Sequence, residues 1–206
     1  MQSIYEKFDH WLPGVSGIAV FWAIVALAVL VLGSFGLVRR RRLRAESSNK
    51  SIARQIRKLS VEALSHVMIN DGIEGNVYID YLCLNAAGIA VVDIKDYRGL
   101  LFGGTNTDQW TQVVDHRSFR FDNPLYQNRD RVRALEALVD DVPVFGCVVF
   151  TNAGTFPKDR PDGIYLQEHL ADALRAGVKK GEVPEKFKDA WQKLKVILVP
   201  TTRQSI

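Results

Sequence analysis

Two acids and one lysine in the segment Val77–Gly99 have the types and the spacing that metal-dependent chemistry requires. The sequence Asn-Ala-Ala-Gly at residues 85–88 predicts a two-residue turn between two strands. In the register that this turn sets, Asp80 faces Asp93 across an antiparallel ladder, with Cβ atoms about 4.5–5.5 Å apart. Successive side chains of a strand alternate between its faces, so Lys95 shares a face with Asp93. The pattern therefore predicts two opposed carboxylates with a lysine beside them.

Such a pair of carboxylates favours a bound cation. Opposed carboxylates repel each other, and burying them without a partner costs free energy. A divalent cation between them would remove both problems, because hard oxygen ligands suit Mg²⁺ or Mn²⁺. Lys95 would then orient a water molecule or stabilise negative charge developing on a phosphate. A strand end that emerges into solvent with an ordinary Asp–Lys surface pair has the same spacing, so both interpretations stay open here.

The residues need a sheet to hold them, and the hydrophobic pattern predicts one flanked by helices, which defines an α/β domain. Asn123 followed by Pro124 is typical of a helix start, and the apolar run Val144–Phe150 is typical of a strand buried on both faces. The expected helices are Ser51–Leu64, Asn123 to about Val139, Leu166–Ala176 and Glu185–Leu194. The expected strands are His66–Ile69, Val77–Leu84, Ile89–Lys95, Thr111–Val114, Ser118–Phe121, Val144–Phe150 and Val196–Val199.

An uncharged apolar segment, Gly17–Val38, precedes this domain and has 22 residues. A helix that crosses a hydrocarbon layer of about 30 Å needs roughly 20 residues, so the length fits a membrane span. A signal peptide would have a basic start, a shorter apolar run and a cleavage site of small residues. Here Glu6, Lys7 and Asp9 precede the apolar run, and arginines follow it directly. We therefore expect one retained transmembrane helix at residues 15–38.

Five arginines at the end of this segment account for the basic character of the chain. They are Arg39, Arg40, Arg41, Arg42 and Arg44, and the other 201 residues carry 22 positive and 23 negative charges. The formal net charge of +4 is thus one cluster, and it does not indicate a basic nucleic-acid-binding domain. Cationic flanks stay on the cytoplasmic side, so the N-terminus is expected outside and the domain in the cytoplasm. The arginines also suit contact with anionic lipid headgroups.

The expected organisation is a short extracytoplasmic N-terminus at residues 1–14, the transmembrane helix, a basic juxtamembrane linker at 39–50 and one domain at 51–206. Composition excludes a wholly disordered chain and a disulfide-rich secreted module. Cys83 and Cys147 both lie in apolar runs. They are expected to be buried, reduced thiols.

Several segments of the chain resemble the nuclease-related domain (NERD) family in the same order. They are Asp80, Ala87-Gly88-Ile89, the sequence Val-Asp-Ile-Lys-Asp-Tyr-Arg-Gly at 92–99, Trp110, the sequence Asn-Pro-Leu-Tyr-Gln at 123–127, and the strand Pro143–Phe150. The resemblance covers roughly Ser51 to Phe150. It implies a restriction-endonuclease-like fold, similar to that of the PD-(D/E)xK nucleases, with a mixed central sheet flanked by helices.

The resemblance also implies metal-dependent cleavage of DNA phosphodiesters, with Mg²⁺ or Mn²⁺ as cofactor. By position, Asp80 would be the first metal ligand, Asp93 the second acidic ligand and Lys95 the catalytic lysine. The backbone carbonyl of Ile94 would add a ligand, and Gln127 would be the glutamine of the following helix. A bacterial inner membrane suits the family.

Two main functions remain open from the sequence, beside a third, a purely structural membrane-tethered adaptor, which would explain the anchor but not the paired carboxylates. One is a membrane-anchored, cytoplasm-facing DNA nuclease. In such a nuclease Arg129 and Arg133, which share a helix face, would contact backbone phosphates. A solvated helix face is the plainer explanation of these two arginines. The other is a catalytically inactive module that binds nucleic acid or a protein partner at the membrane. Family members usually carry a glutamate early in the first helix, whereas Ser51–Lys58 contain no acid and Glu62 is the only acid in the predicted helix.

Overall fold

The longest element among the described residues is a helix that begins at Gly17. The computed structural model describes residues 17–70, 75–175 and 182–200, which fall into two units, Met1–Ser47 and Ser48–Ile206. In chain order the elements are α1 (Gly17–Leu59), β1 (Glu62–Asn70), β2 (Asn76–Asn85), β3 (Gly88–Lys95), β4 (Gly99–Phe102), β5 (Gln109–Val114), β6 (Arg117–Asp122), α2 (Pro124–Glu136), β7 (Val144–Phe150), β8 (Gly154–Thr155), β9 (Ile164–Leu166), a short 3-10 helix (Gln167–His169), α3 (Leu170–Arg175), α4 (Glu185–Ile197) and β10 (Val199–Pro200).

In the N-terminal unit, α1 carries a segment that is long and apolar enough to cross a membrane. It is Val20–Arg40, with 21 residues and none of its apolar window buried. The length and apolar composition of this segment support the expected membrane-spanning helix. The expected N-terminal segment 1–14 lies outside the described residues, as do residues 15–16 of the expected span.

Helix α1 does not have the predicted bounds. It continues through residues 39–50, which we expected to form a basic juxtamembrane linker, because this stretch contains no glycine or proline to end a helix. It ends at Leu59 instead of Leu64, since residues from Glu62 onward pair with β2 in an antiparallel ladder. Glu62, predicted in the helix, is therefore a strand residue that pairs with Leu84.

The main sheet of the second unit has six strands in the order β10-β1-β2-β3-β7-β9. β10, β1, β2 and β3 pair antiparallel, whereas β3, β7 and β9 pair parallel, so the sheet is mixed. A second sheet has the order β6-β5-β4-β8. The expected α/β class with a mixed sheet flanked by helices is confirmed.

Helices cover both faces of the main sheet. One core cluster joins Ile89 and Val91 of β3 to Leu135 of α2 and to Phe187 and Trp191 of α4. A second cluster, on the other face, joins Ala90 and Val92 to the end of α1 and to α3; its helix residues are Ile52, Ile56, Leu170 and Leu174. Cys83 and Cys147 are free and buried in this second cluster, as expected, and burial raises the pKa of the Cys83 thiol to about 12.

Two predicted elements near the C-terminus differ from the structure. Residues Ile164–Leu166 form the edge strand β9, so α3 begins only at Leu170; Ala176, its predicted end, is outside the described residues. The predicted strand Val196–Val199 is wrong, because α4 runs to Ile197 and only Val199–Pro200 pairs with β1. Val196 is 87% exposed, so no core contact favours an extended conformation at that position.

The β2–β3 hairpin has the register that the two-residue turn predicts. Asn85 pairs with Gly88, and the ladder continues to the pair Tyr81–Val92. Gly88 has a φ of 138°, and an added Cβ would lie 2.0 Å from the Pro143 carbonyl oxygen. Glycine is therefore required where β3 leaves the turn and passes the start of β7.

Candidate active site

Asp93 is a fully buried acid near the end of β3. Its side chain is 1% exposed, and its Oδ2 lies 2.9 Å from Nη1 of Arg131. Its Oδ1 is buried and has no hydrogen-bond partner among the described residues. Burial raises the pKa of the Asp93 carboxyl, while the positive charges of Arg131 and Lys95 act in the opposite direction. In Asp93, therefore, Oδ2 is paired with the Arg131 guanidinium, whereas Oδ1 has no partner among the described residues.

Asp80 lies where the sheet is irregular. The β2–β3 ladder stops one residue before Asp80 and Asp93 would pair, and Asp93 pairs with Val148 of β7 on its other side. The β1–β2 ladder skips Asp80 as well, opposite His66, whose φ is a left-handed 54°. Free of a regular ladder, Asp80 turns its Oδ2 to the backbone N–H of Ile94, 2.8 Å away. Its charge also contributes to raising the pKa of Asp93.

Lys95 and Gln127 meet at the same end of β3. The Lys95 Nζ donates a hydrogen bond to Gln127 Oε1 at 3.1 Å. Burial lowers the pKa of the Lys95 ammonium, and the negative charge of Asp93 partly offsets this effect. The sequence-predicted lysine and glutamine, 32 residues apart, are therefore brought together.

Helix α2 is positioned by its first residues. Asn123 caps it, with Oδ1 accepting from the Leu125 N–H at 2.9 Å, and Pro124 occupies the first turn. The Asn123 side chain also donates to the Thr107 carbonyl at 2.8 Å. An added Cβ at Gly146 of β7 would lie 2.0 Å from Asn128 Oδ1, so α2 approaches the sheet closely at this point. These contacts set where Gln127 lies.

Arg131 is a site residue that the sequence analysis missed. It lies one turn after Gln127 on α2, its Nε donates to the Tyr78 carbonyl at 2.6 Å, and its Nη1 contacts Asp93. The predicted Arg129 and Arg133 are exposed and about 200° around the helix from it. The i, i+4 spacing from Gln127 was the signal in the sequence that could have identified Arg131.

Arg129 and Arg133 make local contacts instead. The Arg129 guanidinium lies 4.7 Å from the centre of the Tyr126 ring. Arg133 Nη1 is 3.9 Å from Asp130 Oδ1, and both side chains of this pair are about 70% exposed. Their proposed contact with nucleic acid remains a prediction.

The donor set fits a hard divalent cation. Asp93 offers a buried oxygen without a partner among the described residues, Asp80 offers a carboxylate beside the Ile94 backbone, and Ile94 offers its carbonyl. Mg²⁺ is usually held by one or two carboxylates and keeps several waters. Within residues 17–70, 75–175 and 182–200 no group of three His, Cys, Asp or Glu residues converges, so water and substrate would supply the other ligands. Glu62 is engaged elsewhere, accepting from Trp191 Nε1 at 2.8 Å.

The matches to known proteins agree with this fold. Residues 43–151 match NERD, the nuclease-related domain family. The match covers more than half of the chain, includes every residue placed at the site above, and shows that the chain belongs to this family. The resemblance seen in the sequence is thereby confirmed.

A bacterial relative is also similar to the chain. It is an uncharacterized protein of Bacillus anthracis, 26% identical over 125 residues, which cover 59% of each protein. The chain thus spans about six tenths of the length of this curated relative.

Proposed function

We propose that the protein is a membrane-anchored, cytoplasm-facing nuclease that hydrolyses DNA phosphodiesters with Mg²⁺ or Mn²⁺. The observation that carries the proposal is the convergence of Asp80, Asp93 and the Lys95–Gln127 hydrogen bond at one end of β3. Membership in the nuclease-related domain family supports nuclease-like chemistry at this place.

Each residue has a role that follows from its contacts. Asp80 and Asp93, with the Ile94 carbonyl, would hold the cation. A bound Mg²⁺ would supply charge neutralisation at the scissile phosphate and would lower the pKa of a bound water. Lys95 positions the attacking water, and its lowered pKa brings it closer to the pH at which it can release a proton. Gln127 holds the Lys95 Nζ in place.

The membrane part of the proposal rests on α1 and its arginines. Val20–Arg40 has the length and composition of a span. Arginines directly after the apolar residues favour a cytoplasmic location for everything that follows, with the N-terminus outside. The bacterial relative and the one candidate span within the described residues support the inner (plasma) membrane as the location.

A second candidate is a catalytically inactive module that binds nucleic acid or a protein partner at the membrane. Two observations favour it. Residues 51–58 contain no acid, and no third acid joins Asp80 and Asp93 within the described part of the chain. Arg131 also occupies one oxygen of Asp93.

One experiment distinguishes the two candidates. The full-length protein, purified in detergent, is incubated with labelled linear and supercoiled DNA in Mg²⁺, Mn²⁺ or chelator. We expect cleavage that needs the cation and that falls by about 10²–10⁴-fold in Lys95→Ala. Lys188→Ala, which alters an exposed pair with Glu185, is the matched control and should cleave normally.

Two results of this experiment would argue against a nuclease with this site. Cleavage that persists unchanged in Lys95→Ala contradicts the site. DNA binding without cleavage under every cation supports the inactive module.

A further inference from the structure

Arg131 is held more tightly than an arginine on an exposed helix face. Its side chain is 20% exposed and is fixed at two points. The Nε donates to the Tyr78 carbonyl at 2.6 Å, and the Nη1 donates to Asp93 Oδ2 at 2.9 Å. Tyr78 and Asp93 belong to neighbouring strands, so the guanidinium lies across the end of the β2–β3 hairpin.

The buried charge of Asp93 explains why an arginine is needed there. A carboxylate that is 1% exposed is unstable without an opposite charge nearby. Among the described residues, Arg131 is the one cationic side chain within 4 Å of this carboxylate, since the Lys95 Nζ is directed to Gln127. Arg131 therefore compensates the same charge that a divalent cation would compensate.

We propose that Arg131 is the resident counter-ion of the cation site, which stabilises Asp93 when no metal is bound and competes with the metal for that carboxylate. This inference rests on the proposed function and deepens it by adding a positioning residue that sets the affinity for the cation. Arg131 occupies Oδ2, which leaves Oδ1 as the free oxygen of Asp93. Its positive charge also repels a divalent cation bound a few ångströms away.

The affinity for Mn²⁺ tests the proposal without any DNA. Mn²⁺ binding to the full-length protein is followed by the loss of the free-ion signal in electron paramagnetic resonance. We expect Arg131→Met to bind Mn²⁺ roughly tenfold more tightly than the wild type, because one unit charge near the site has been removed. Arg133→Met, on the exposed side of the same helix, should match the wild type. Asp93→Asn should lose this binding.

Thermal unfolding gives a second readout. Arg131→Met leaves a buried carboxylate unpaired, so its melting temperature without metal should fall, and saturating Mn²⁺ should raise it by more than in the wild type. If Arg131→Met does not fold, Arg131→Gln serves instead, because it also removes the positive charge but keeps a hydrogen-bond donor. We again expect Mn²⁺ affinity above that of the wild type.

Unchanged or weaker Mn²⁺ binding in the folded Arg131 variant overturns the proposal, because Arg131 would then orient Asp93 for the metal. Absence of Mn²⁺ binding in both the wild type and the variant overturns it as well. Failure of DNA cleavage alone leaves this measurement intact, so the two proposals can fail separately.

Discussion

Lys95 and Gln127 are far apart in the chain, yet their Nζ and Oε1 atoms lie 3.1 Å apart. A lysine has three rotatable donors on a flexible stem, and a fixed acceptor restricts where its charge lies. Gln127 belongs to a capped helix that packs on the sheet, so it provides such an acceptor. At the scale of single residues, the central interaction is therefore the hydrogen bond from Lys95 to Gln127, which positions the lysine ammonium group.

Removing this hydrogen bond should reduce the rate of cleavage more than the binding of DNA. We expect Gln127→Ala to lower the single-turnover rate by about 10- to 100-fold, since a hydrogen bond to a charged group contributes about 1.5–3 kcal/mol. Lys188→Ala, which alters an exposed pair with Glu185 outside the site, is the control. In a Lys95→Ala background the Gln127→Ala change should have little further effect, and full additivity of the two changes would contradict their coupling.

At the scale of elements, α2 delivers both Gln127 and Arg131 because it packs closely on β7 at Gly146. We expect Gly146→Ala to lower the free energy of unfolding by about 1–3 kcal/mol, because the new Cβ would clash with the Asn128 amide oxygen. Denaturant unfolding monitors the change. Gly104→Ala is the control, since its Cβ would only reach an ordinary contact with Thr107. A Gly146→Ala protein of unchanged stability would show that α2 is not so closely packed.

Glu62 of β1 accepts hydrogen bonds from Trp191 and Lys195 of α4, and its carboxyl group should make this contact between β1 and α4 sensitive to acid. Hydrogen bonds from Trp191 and Lys195 lower the pKa of Glu62 below its ordinary 4.5. A carboxyl whose pKa is lower in the folded state stabilises the fold above its unfolded pKa and loses this effect as the pH falls through the folded value. The contribution is small, because the Glu62 side chain is 45% exposed.

Melting temperatures between pH 7 and pH 3 test this prediction. The difference in melting temperature between the wild type and Glu62→Gln should stay constant above pH 4.5 and become smaller below pH 4.5. Glu185→Gln, which alters an exposed pair, should show a smaller difference at every pH. A difference that grows towards low pH would contradict the assignment.

The parts of the site that were predictable from sequence depend on local rules. The register of the β2–β3 hairpin follows from a two-residue turn, because the length of the turn sets which residues pair. The predicted pairing of Asp80 with Asp93 does not form, because the ladder ends one pair earlier, at Tyr81 and Val92. The choice of Arg131 over Arg129 and Arg133 depends on how α2 is rotated about its axis, which packing against the sheet decides. The place of Glu62 depends on pairing with β2, a tertiary interaction that overrides the helical pattern before it.

At the scale of the whole molecule, the net positive charge lies in the arginine cluster before the domain, and the domain itself is neutral. From Ala45 onward the chain carries 21 positive and 21 negative charges, while five arginines lie just before it. A neutral domain has no broad basic field to attract DNA, so binding must depend on local contacts at the site. The arginines instead bear on the membrane orientation.

The orientation can be tested in bacterial spheroplasts that express the full-length chain. We expect protease added outside to leave the C-terminal domain intact until the membrane is lysed. Replacing Arg39, Arg40, Arg41, Arg42 and Arg44 by alanine should produce a mixed orientation, because the charge asymmetry that sets it has been removed. Digestion of the wild-type domain in intact spheroplasts would contradict a cytoplasmic location.

The most direct test of the proposed chemistry is single-turnover cleavage of a labelled duplex by the wild type and by Asp80→Asn in Mg²⁺. Asparagine keeps the size of the side chain and an acceptor for the Ile94 N–H, so the fold should persist. The loss of one carboxylate charge should weaken the cation site. We predict cation-dependent cleavage by the wild type and at least about 10²-fold slower cleavage by the variant. Equal rates for the two proteins would contradict a metal-dependent nuclease site at Asp80 and Asp93.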